Sequence, residues 1–473
     1  MGEGDAPAVA RANGLPSLWA AIWRIEQELD LFRRELDGVF YWPLLRIHAL
    51  DRLARQRSLH APPPRKLRIT RARRALTAAS ALAATRAEWG EADSILIPLN
   101  RKQIRDGRLI DIFSERILHD KEFGRFLICD NDSDIGSHAE SDTQIVRNWD
   151  SVRVLSRARA GARFVGRLAG ARQIHAMLDA AFRRELGAPF PFSPAQIAYR
   201  CAVFDEGRRM SRKIFARAGA RRLFVVAQHS TQDAIAAAND LSMTTIELQH
   251  GFISAFDPFL HFPGRPNVPY SPAHLLTFGR FWAEQIDLPR NTRAHVMGWE
   301  PERNKALPSR RNSRQVLVIS QWIMGQQLAQ AAADLARAAP DWNVVFRPHP
   351  SEDVRRYREE FAAAPPNLSV SSREERIDDL LAESAVQIGV YSTSLFEGMG
   401  KGLRTIVFAL PGFQYMRDVI EIGDAALARS VDEAVALLET APVCADPARY
   451  YAAPVASVAH LLSDVLDGES AEQ

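Results

Sequence analysis

The sequence predicts an α/β protein of two doubly wound parallel sheets, preceded by a helical extension. Three observations carry this. From about residue 195 onward, short apolar runs alternate with amphipathic helical stretches, the rhythm of strands joined by right-handed crossovers. The alternation is interrupted by a polar, basic, aperiodic stretch at 301–314 and then resumes, which divides it into two units. In the second unit two apolar runs end in polar loops, Arg347-Pro348-His349-Pro350 and Tyr391-Ser392-Thr393-Ser394. Open α/β sheets bind ligands in the crevice beyond such strand ends.

The chain has 473 residues and 47% hydrophobic content, enough for more than one core. We divide it into an N-terminal helical region at 1–88, a first α/β domain at 89–300 and a second at 301–473. Within 16–57, Trp19, Ile22, Trp23, Ile25, Leu29, Leu31 and Phe32 recur at helical spacing. Pro62-Pro63-Pro64 stops the helix. A basic run at 65–74 follows, then an Ala-rich helix to about residue 85. The basic run reads as a solvated helix face or as a cationic surface for anionic lipid. A short strand is expected at 94–98, and helical patches at 110–118 and 171–186. A helix over 195–218 leads to a strand at 222–227. A helix over 230–239 follows with Ser230 as N-cap, then a strand at 244–249. The stretch 255–272, rich in Pro, Phe and Gly, reads as a loop before a strand at 273–278. In the second unit strands are expected at 315–320, 342–346, 386–390 and 405–409. Helices are expected at 325–338, 395–402, 431–440 and 454–466.

A net charge of +3 with 25% charged residues gives no reason to expect a nucleic-acid partner. Cys129, Cys201 and Cys444 are far apart and form no CxxC pair, so neither a disulfide framework nor a zinc site is expected. Met1-Gly2-Glu3-Gly4-Asp5 lacks a signal-peptide pattern, and no apolar run approaches the roughly 18–20 residues that span a bilayer. The expectation is a cytoplasmic protein whose membrane contact, at the inner face, is peripheral. Asp130, Asp132 and Asp134 begin like a calcium loop, but the required Gly and Glu do not follow.

Three constellations carry chemistry. Prolines on both sides stiffen the loop at His349. Arg347 offers a phosphate two parallel hydrogen bonds, and His349 a third donor and a proton. Second, Ser392, Thr393 and Ser394 stand at a helix start, where unpaired N–H groups attract phosphate. Ser394 and Glu397 have capping-box spacing, and Glu397 is also a candidate ribose acceptor. Gly398-Met399-Gly400-Lys401-Gly402 resembles a phosphate loop but sits at the wrong end of its helix, so it reads as a packing surface and C-cap. Third, Glu247-Leu248-Gln249-His250-Gly251 ends a strand of the first unit. Gly251 permits a sharp turn and His250 is a candidate general base, with Asp257 and His261 as alternatives. Asp205-Glu206-Gly207 falls inside a helix.

These residues resemble the GT-B glycosyltransferases of bacterial capsule and surface-polysaccharide assembly, in particular the polysialyltransferases and teichoic-acid glycerophosphotransferases. The resemblance rests on Arg347-Pro348-His349-Pro350, Ser392-Thr393-Ser394, Glu397-Gly398 and Gln249-His250-Gly251, and covers about 220–430. It implies two Rossmann-like domains facing a cleft, with a nucleotide-sugar donor held by the second domain and a glycan or lipid-linked glycan acceptor by the first. It implies that His349 and the 392–394 hydroxyls bind the donor phosphate, that Glu397 binds the ribose, and that neither a metal nor another cofactor is needed. The acidic-acidic-Gly base motif of the polysialyltransferases is missing at the expected strand end. Two other readings are a sugar-nucleotide 2-epimerase of the same fold and a non-catalytic component of a capsule assembly complex.

Overall fold

The computed structural model describes residues 15–57, 89–99, 103–105, 108–130, 144–299, 314–321 and 324–463. The 65–74 basic run, the Ala-rich stretch after it, Asp132, Asp134 and nearly all of the 301–314 boundary lie outside the described residues.

Two N-terminal helices, Leu15–Glu28 and Tyr41–Gln56, are linked through a small hairpin of β1 (Glu35–Leu36) and β2 (Val39–Phe40). After β3 (Ser94–Ile97) comes a second hairpin, β4 (Gln103–Arg105) and β5 (Arg108–Ile110). The first large sheet is completed by β6 (Phe126–Asp130), β7 (Gln144–Asn148), β8 (Arg222–Val226), β9 (Thr244–Leu248), β10 (His274–Thr277) and β11 (Arg293–Val296). Its order is β11-β10-β9-β8-β3-β6-β7, all parallel. The second sheet comprises β12 (Gln315–Ile319), β13 (Asn343–Arg347), β14 (Leu368–Val370), β15 (Val386–Gly389), β16 (Arg404–Phe408) and β17 (Ala426–Ala428). Its order is β14-β13-β12-β15-β16-β17, again parallel. In each sheet the chain winds from the centre to one edge, returns, and winds to the other. The order reverses between β3 and β8 in the first sheet and between β12 and β15 in the second. The molecule is thus two doubly wound α/β domains, as the strand–helix rhythm predicts.

Every residue of β3, β6, β9, β10 and β15 is buried, so these strands lack the apolar–polar alternation of a half-exposed strand. β6 therefore escapes a reading by periodicity; β7 and the helix Asp150–Arg163 are elements that the sequence reading also leaves unassigned. The 110–118 patch is helical only at Glu115–His119, because Ile110 ends β5. The 454–466 helix shortens to Val458–Leu461. Ser230 is not an N-cap. It lies in the 3₁₀ turn Gln228–Ser230, its hydroxyl donates back to the Ala227 carbonyl, and the helix begins at Gln232.

The longest first-domain helix, Pro194–Ala218, opens with a Ser193–Gln196 capping box and closes at Gly219 with φ +67°. Asp205 and Glu206 lie inside it, as predicted, and are bound to Arg167, Arg163 and Arg209. The N-terminal helices pack Leu18, Ile22, Trp42 and Leu45 with Leu178, Phe182 and Ile197 in one core. Much of their apolar surface is therefore packed inside the protein. Among the described residues no helix is long and apolar enough to cross a membrane.

The two domains touch through the loops at the C-terminal ends of their strands. Phe252 lies 5.5 Å from Phe396, and Phe256 lies 5.9 Å from Tyr415, ring centre to ring centre. The chain then returns from the second domain to the first. Ala452 donates to the Phe278 carbonyl, and Asp120 accepts from the N–H groups of Val458 and Ala459.

Candidate active site

β12 is flanked by β13 on one side and β15 on the other, with Val318 opposite both Phe346 and Ile388. Adjacent strands lie about 4.8 Å apart, so the ends of β13 and β15 stand roughly 10 Å from each other. The two polar loops of the sequence leave from these two ends, at the strand reversal of the sheet. This is the crevice where open α/β sheets take ligands.

The 347–350 loop is organised by a residue that the sequence does not advertise. Glu352 Oε2 accepts from the His349 N–H (2.6 Å) and from the Ser320 hydroxyl (2.7 Å), and its Oε1 accepts from the Tyr357 hydroxyl (2.6 Å). It thus ties the loop to the end of β12. The only sequence signal is its position two residues beyond Pro350. The His349 ring accepts the Ser351 N–H at Nδ1 (3.1 Å), which places the proton of the neutral imidazole on Nε2. Glu352→Ala leaves three donors without their acceptor and is expected to cost about 1–3 kcal/mol. Thermal unfolding checks this; an unchanged midpoint would mean the loop holds without Glu352.

Arg347 is only partly available. Its Nη1 donates to the Ser372 carbonyl and the Ser371 hydroxyl, which fastens the loop after β14. Nε and Nη2 make no hydrogen bond among the described residues.

On the other side of β12 the helix runs Thr393–Gly400. Its N-cap is Ser392, whose Oγ accepts the Ser394 N–H at 3.3 Å. The predicted Ser394–Glu397 capping box does not form, because the helix starts two residues earlier than that box requires. Tyr391 donates its N–H to Gln321 Oε1 (3.1 Å), joining the ends of β12 and β15. Its ring packs on Tyr415 with centroids 4.9 Å apart. Gly412 lies close against that ring. It has φ +95°, and a Cβ there would sit 2.4 Å from the Tyr391 ring, so a side chain is excluded twice over. Glu397 is one turn in. Burial, and then Asp378, push its carboxyl up to about 7, against the pull of Lys401. Gly398 is a packing position, as predicted: a Cβ would meet Gln387 Oε1 at 2.1 Å. Gly402, with φ +79°, ends the turn after the helix.

The first domain contributes the loop after β9. The turn at 250–251 is made by Gln249, whose side chain accepts the Phe278 N–H (2.7 Å) and donates to the Gly251 carbonyl (2.8 Å). Gly251 is not among the glycines with positive φ, so its conformational freedom is not what shapes the turn. The His250 ring lies edge-on to Phe113, centroids 6.3 Å apart. Glu247 is buried: Oε1 accepts the Gln228 N–H (3.0 Å), and Oε2 has no hydrogen-bond partner among the described residues. Burial pushes its carboxyl up to about 8, with a further push from Asp257.

Asp257 sits where this loop meets the second domain. Its Oδ1 accepts the N–H groups of Phe259 (2.7 Å) and Leu260 (3.3 Å), and Oδ2 makes no hydrogen bond among the described residues. Burial pushes the carboxyl up to about 6, opposed by those N–H groups and by Arg46. The phenol of Tyr415 feels its charge, after burial and Tyr391. His261 is committed elsewhere: its Nδ1 accepts the Asp287 N–H at 2.9 Å.

The loop is clamped from behind. Arg46, 2% exposed, donates to Glu26 at 2.6 Å and to the carbonyls of Pro258 (2.5 Å) and His261 (3.0 Å). Its guanidinium lies 4.4 Å over the Phe262 ring. This clamp pairs residues more than two hundred positions apart, and no local pattern signals it.

No family model and no curated protein matches the chain. Several solved structures resemble it distantly. CalG4, the calicheamicin glycosyltransferase, aligns over 80% of this chain and 95% of its own at 13% identity and a TM-score of 0.42. The UDP-GlcNAc 2-epimerase of Methanocaldococcus jannaschii aligns over 79% and 99% at 8% identity and 0.44. MurG of Acinetobacter baumannii aligns over 57% and 78% at 12% identity and 0.40. Similarity at this level carries no argument about the reaction, and the architecture rests on the two sheets themselves.

Proposed function

We propose that this protein is a GT-B-type glycosyltransferase that moves a sugar from a nucleotide-activated donor to a surface-polysaccharide or glycolipid acceptor. The observation that carries the reading is the meeting, across the domain junction, of the second sheet's switch point with the Asp257 loop of the first domain. The donor phosphate occupies the crevice between the ends of β13 and β15. There His349 Nε2, the free edge of Arg347 and the helix start at 392–394 neutralise the leaving charge. These groups replace a metal ion in that role. Glu397 accepts from the ribose. Asp257 Oδ2 takes the proton of the acceptor hydroxyl as its oxygen bonds to the sugar carbon. The bond from that carbon to the phosphate oxygen breaks, and the nucleotide leaves with the electron pair.

A thermal-shift screen of UDP-, CMP-, CDP- and GDP-linked sugars tests the donor half. A true donor at a hundred times its Kd stabilises by about 2.7 kcal/mol. His349→Ala is expected to abolish that shift and the transfer of labelled sugar, while the ligand-free midpoint stays the same. Transfer that survives His349→Ala would sink the reading. One observation favours a second reading, a sugar-nucleotide 2-epimerase: the neighbouring carboxyls of buried Glu247 and half-buried Asp257. Solvent deuterium appearing in a nucleotide sugar without any acceptor would select it.

A further inference from the structure

The first domain has a cavity of its own, walled by the helices Tyr41–Gln56, Asp150–Arg163 and Pro194–Ala218 and by the segment that follows β8. That cavity, of about 570 Å³, lies beyond the end of β8. Its walls carry four guanidinium groups, from Arg52, Arg153, Arg157 and Arg200, and two imidazoles, from His48 and His229. Asp233 supplies the one carboxyl, and burial pushes it toward the neutral form. Among the described residues no carboxylate lies within ion-pair distance of any of the four arginines.

The guanidinium and imidazole groups are built in. His48 and Arg52 are one turn apart on the helix Tyr41–Gln56, and Arg153 and Arg157 one turn apart on Asp150–Arg163. Arg52 and Arg200 both lie over the ring of Phe192, at 4.2 and 5.1 Å. Arg52 is held further by the Pro191 carbonyl at 2.5 Å. Like charges packed this way repel one another unless an anion lies between them. The first turn of the helix Gln232–Asn239 lines the same wall and has no side-chain cap.

Next to this chamber lies a second, mostly apolar one, of about 310 Å³, walled by Leu18, Trp19, Ile47, Leu50, Phe259 and Tyr415, with Asp51 at its lining. His48 and His229 line both cavities. The apolar chamber reaches Tyr415, which packs on Tyr391 at the donor crevice.

We propose that the two chambers together form an acceptor-side site for an amphiphilic phosphate ester. A mono- or diphosphate occupies the cationic chamber and its apolar chain the adjoining one. This rests on the glycosyltransferase reading for its role, but the binding is measured without any transfer. The histidines agree with the arrangement. Burial first, then Arg200, His229 and Arg52, hold His48 down to about 4, and a phosphate bound between the two arginines would offset their share of that push.

The test is calorimetric titration of the full chain with inorganic pyrophosphate, farnesyl diphosphate and farnesol. Wild-type protein is expected to bind farnesyl diphosphate at least tenfold more tightly than pyrophosphate. Arg153→Gln/Arg200→Gln is expected to weaken both diphosphates tenfold or more. The exposed Arg157→Glu gives the same direction without touching the core. Ile47→Trp, which fills the apolar chamber, is expected to remove only the farnesyl advantage. No binding of either diphosphate at millimolar concentration overturns the proposal. So does equal affinity for pyrophosphate and farnesyl diphosphate, or undiminished binding in both arginine variants. The nucleotide thermal shift and His349→Ala report on the donor crevice, so failure there is told apart from failure here.

Discussion

Arg46→Met is expected to destabilise the protein by about 3–5 kcal/mol, because it leaves a buried carboxylate without its partner. Glu26 is 5% exposed and meets Arg46 and the Trp42 ring N–H. The same substitution releases the carbonyls of Pro258 and His261, which flank the loop that carries Asp257. Activity should therefore fall along with stability. The double change Glu26→Gln/Arg46→Met separates the two effects. It removes both charges and should recover most of the stability, since a buried ion pair replaced by neutral groups often costs little. It should not recover activity, because the loop carbonyls remain unheld. Urea unfolding and a transfer assay on the two variants check this. A wild-type urea midpoint for Arg46→Met would mean that the clamp contributes nothing to the fold.

Asp257→Asn is expected to lower kcat by about 10²–10⁴-fold, the range for a general base, with little change in donor affinity. The wild-type pH profile should carry the same residue's signature. Its carboxyl is pushed up to about 6 by burial, and a base works only when ionised. Activity should therefore be lost as pH falls through about 6 and level off above it. In Asp257→Asn that limb should vanish from the residual rate. Were His250 the base, His250→Asn would remove the limb and Asp257→Asn would leave it in place. The stability linkage runs the other way. A carboxyl whose folded value lies above its ordinary 3.8 favours the folded state fully below that value and loses this contribution as pH rises through about 6. Alkaline pH thus ionises Asp257 at some cost in stability. Glu247, pushed up to about 8, extends the same trend to higher pH.

How much of the site was legible depends on how local its signals are. The 347–350 and 391–394 loops stand out because each follows a buried parallel strand and precedes a turn or helix start. Those transitions show directly in the order of apolar, proline and hydroxyl residues. The helix cap was misassigned by two positions because Ser392 and Ser394 are equally good cap residues in sequence. Only the backbone, which turns at Ser392 with ψ 141°, decides between them. At 249–251 glycine suggested the turn, yet a buried glutamine side chain bridging β9 and β10 makes it.

By itself, the sequence determined the two doubly wound sheets, most of their strands and the polar loops at the ends of β13 and β15. Strands buried on both faces are mostly apolar, and the helices between them must be amphipathic, so burial is written into neighbouring residues. Only the tertiary structure decided which charges meet. Glu26 with Arg46, Glu352 with Ser320 and Tyr357, and Arg52 with Arg200 over Phe192 are pairings across separate elements. Electrostatic partnership depends on distance in space, and no periodicity along the chain encodes it.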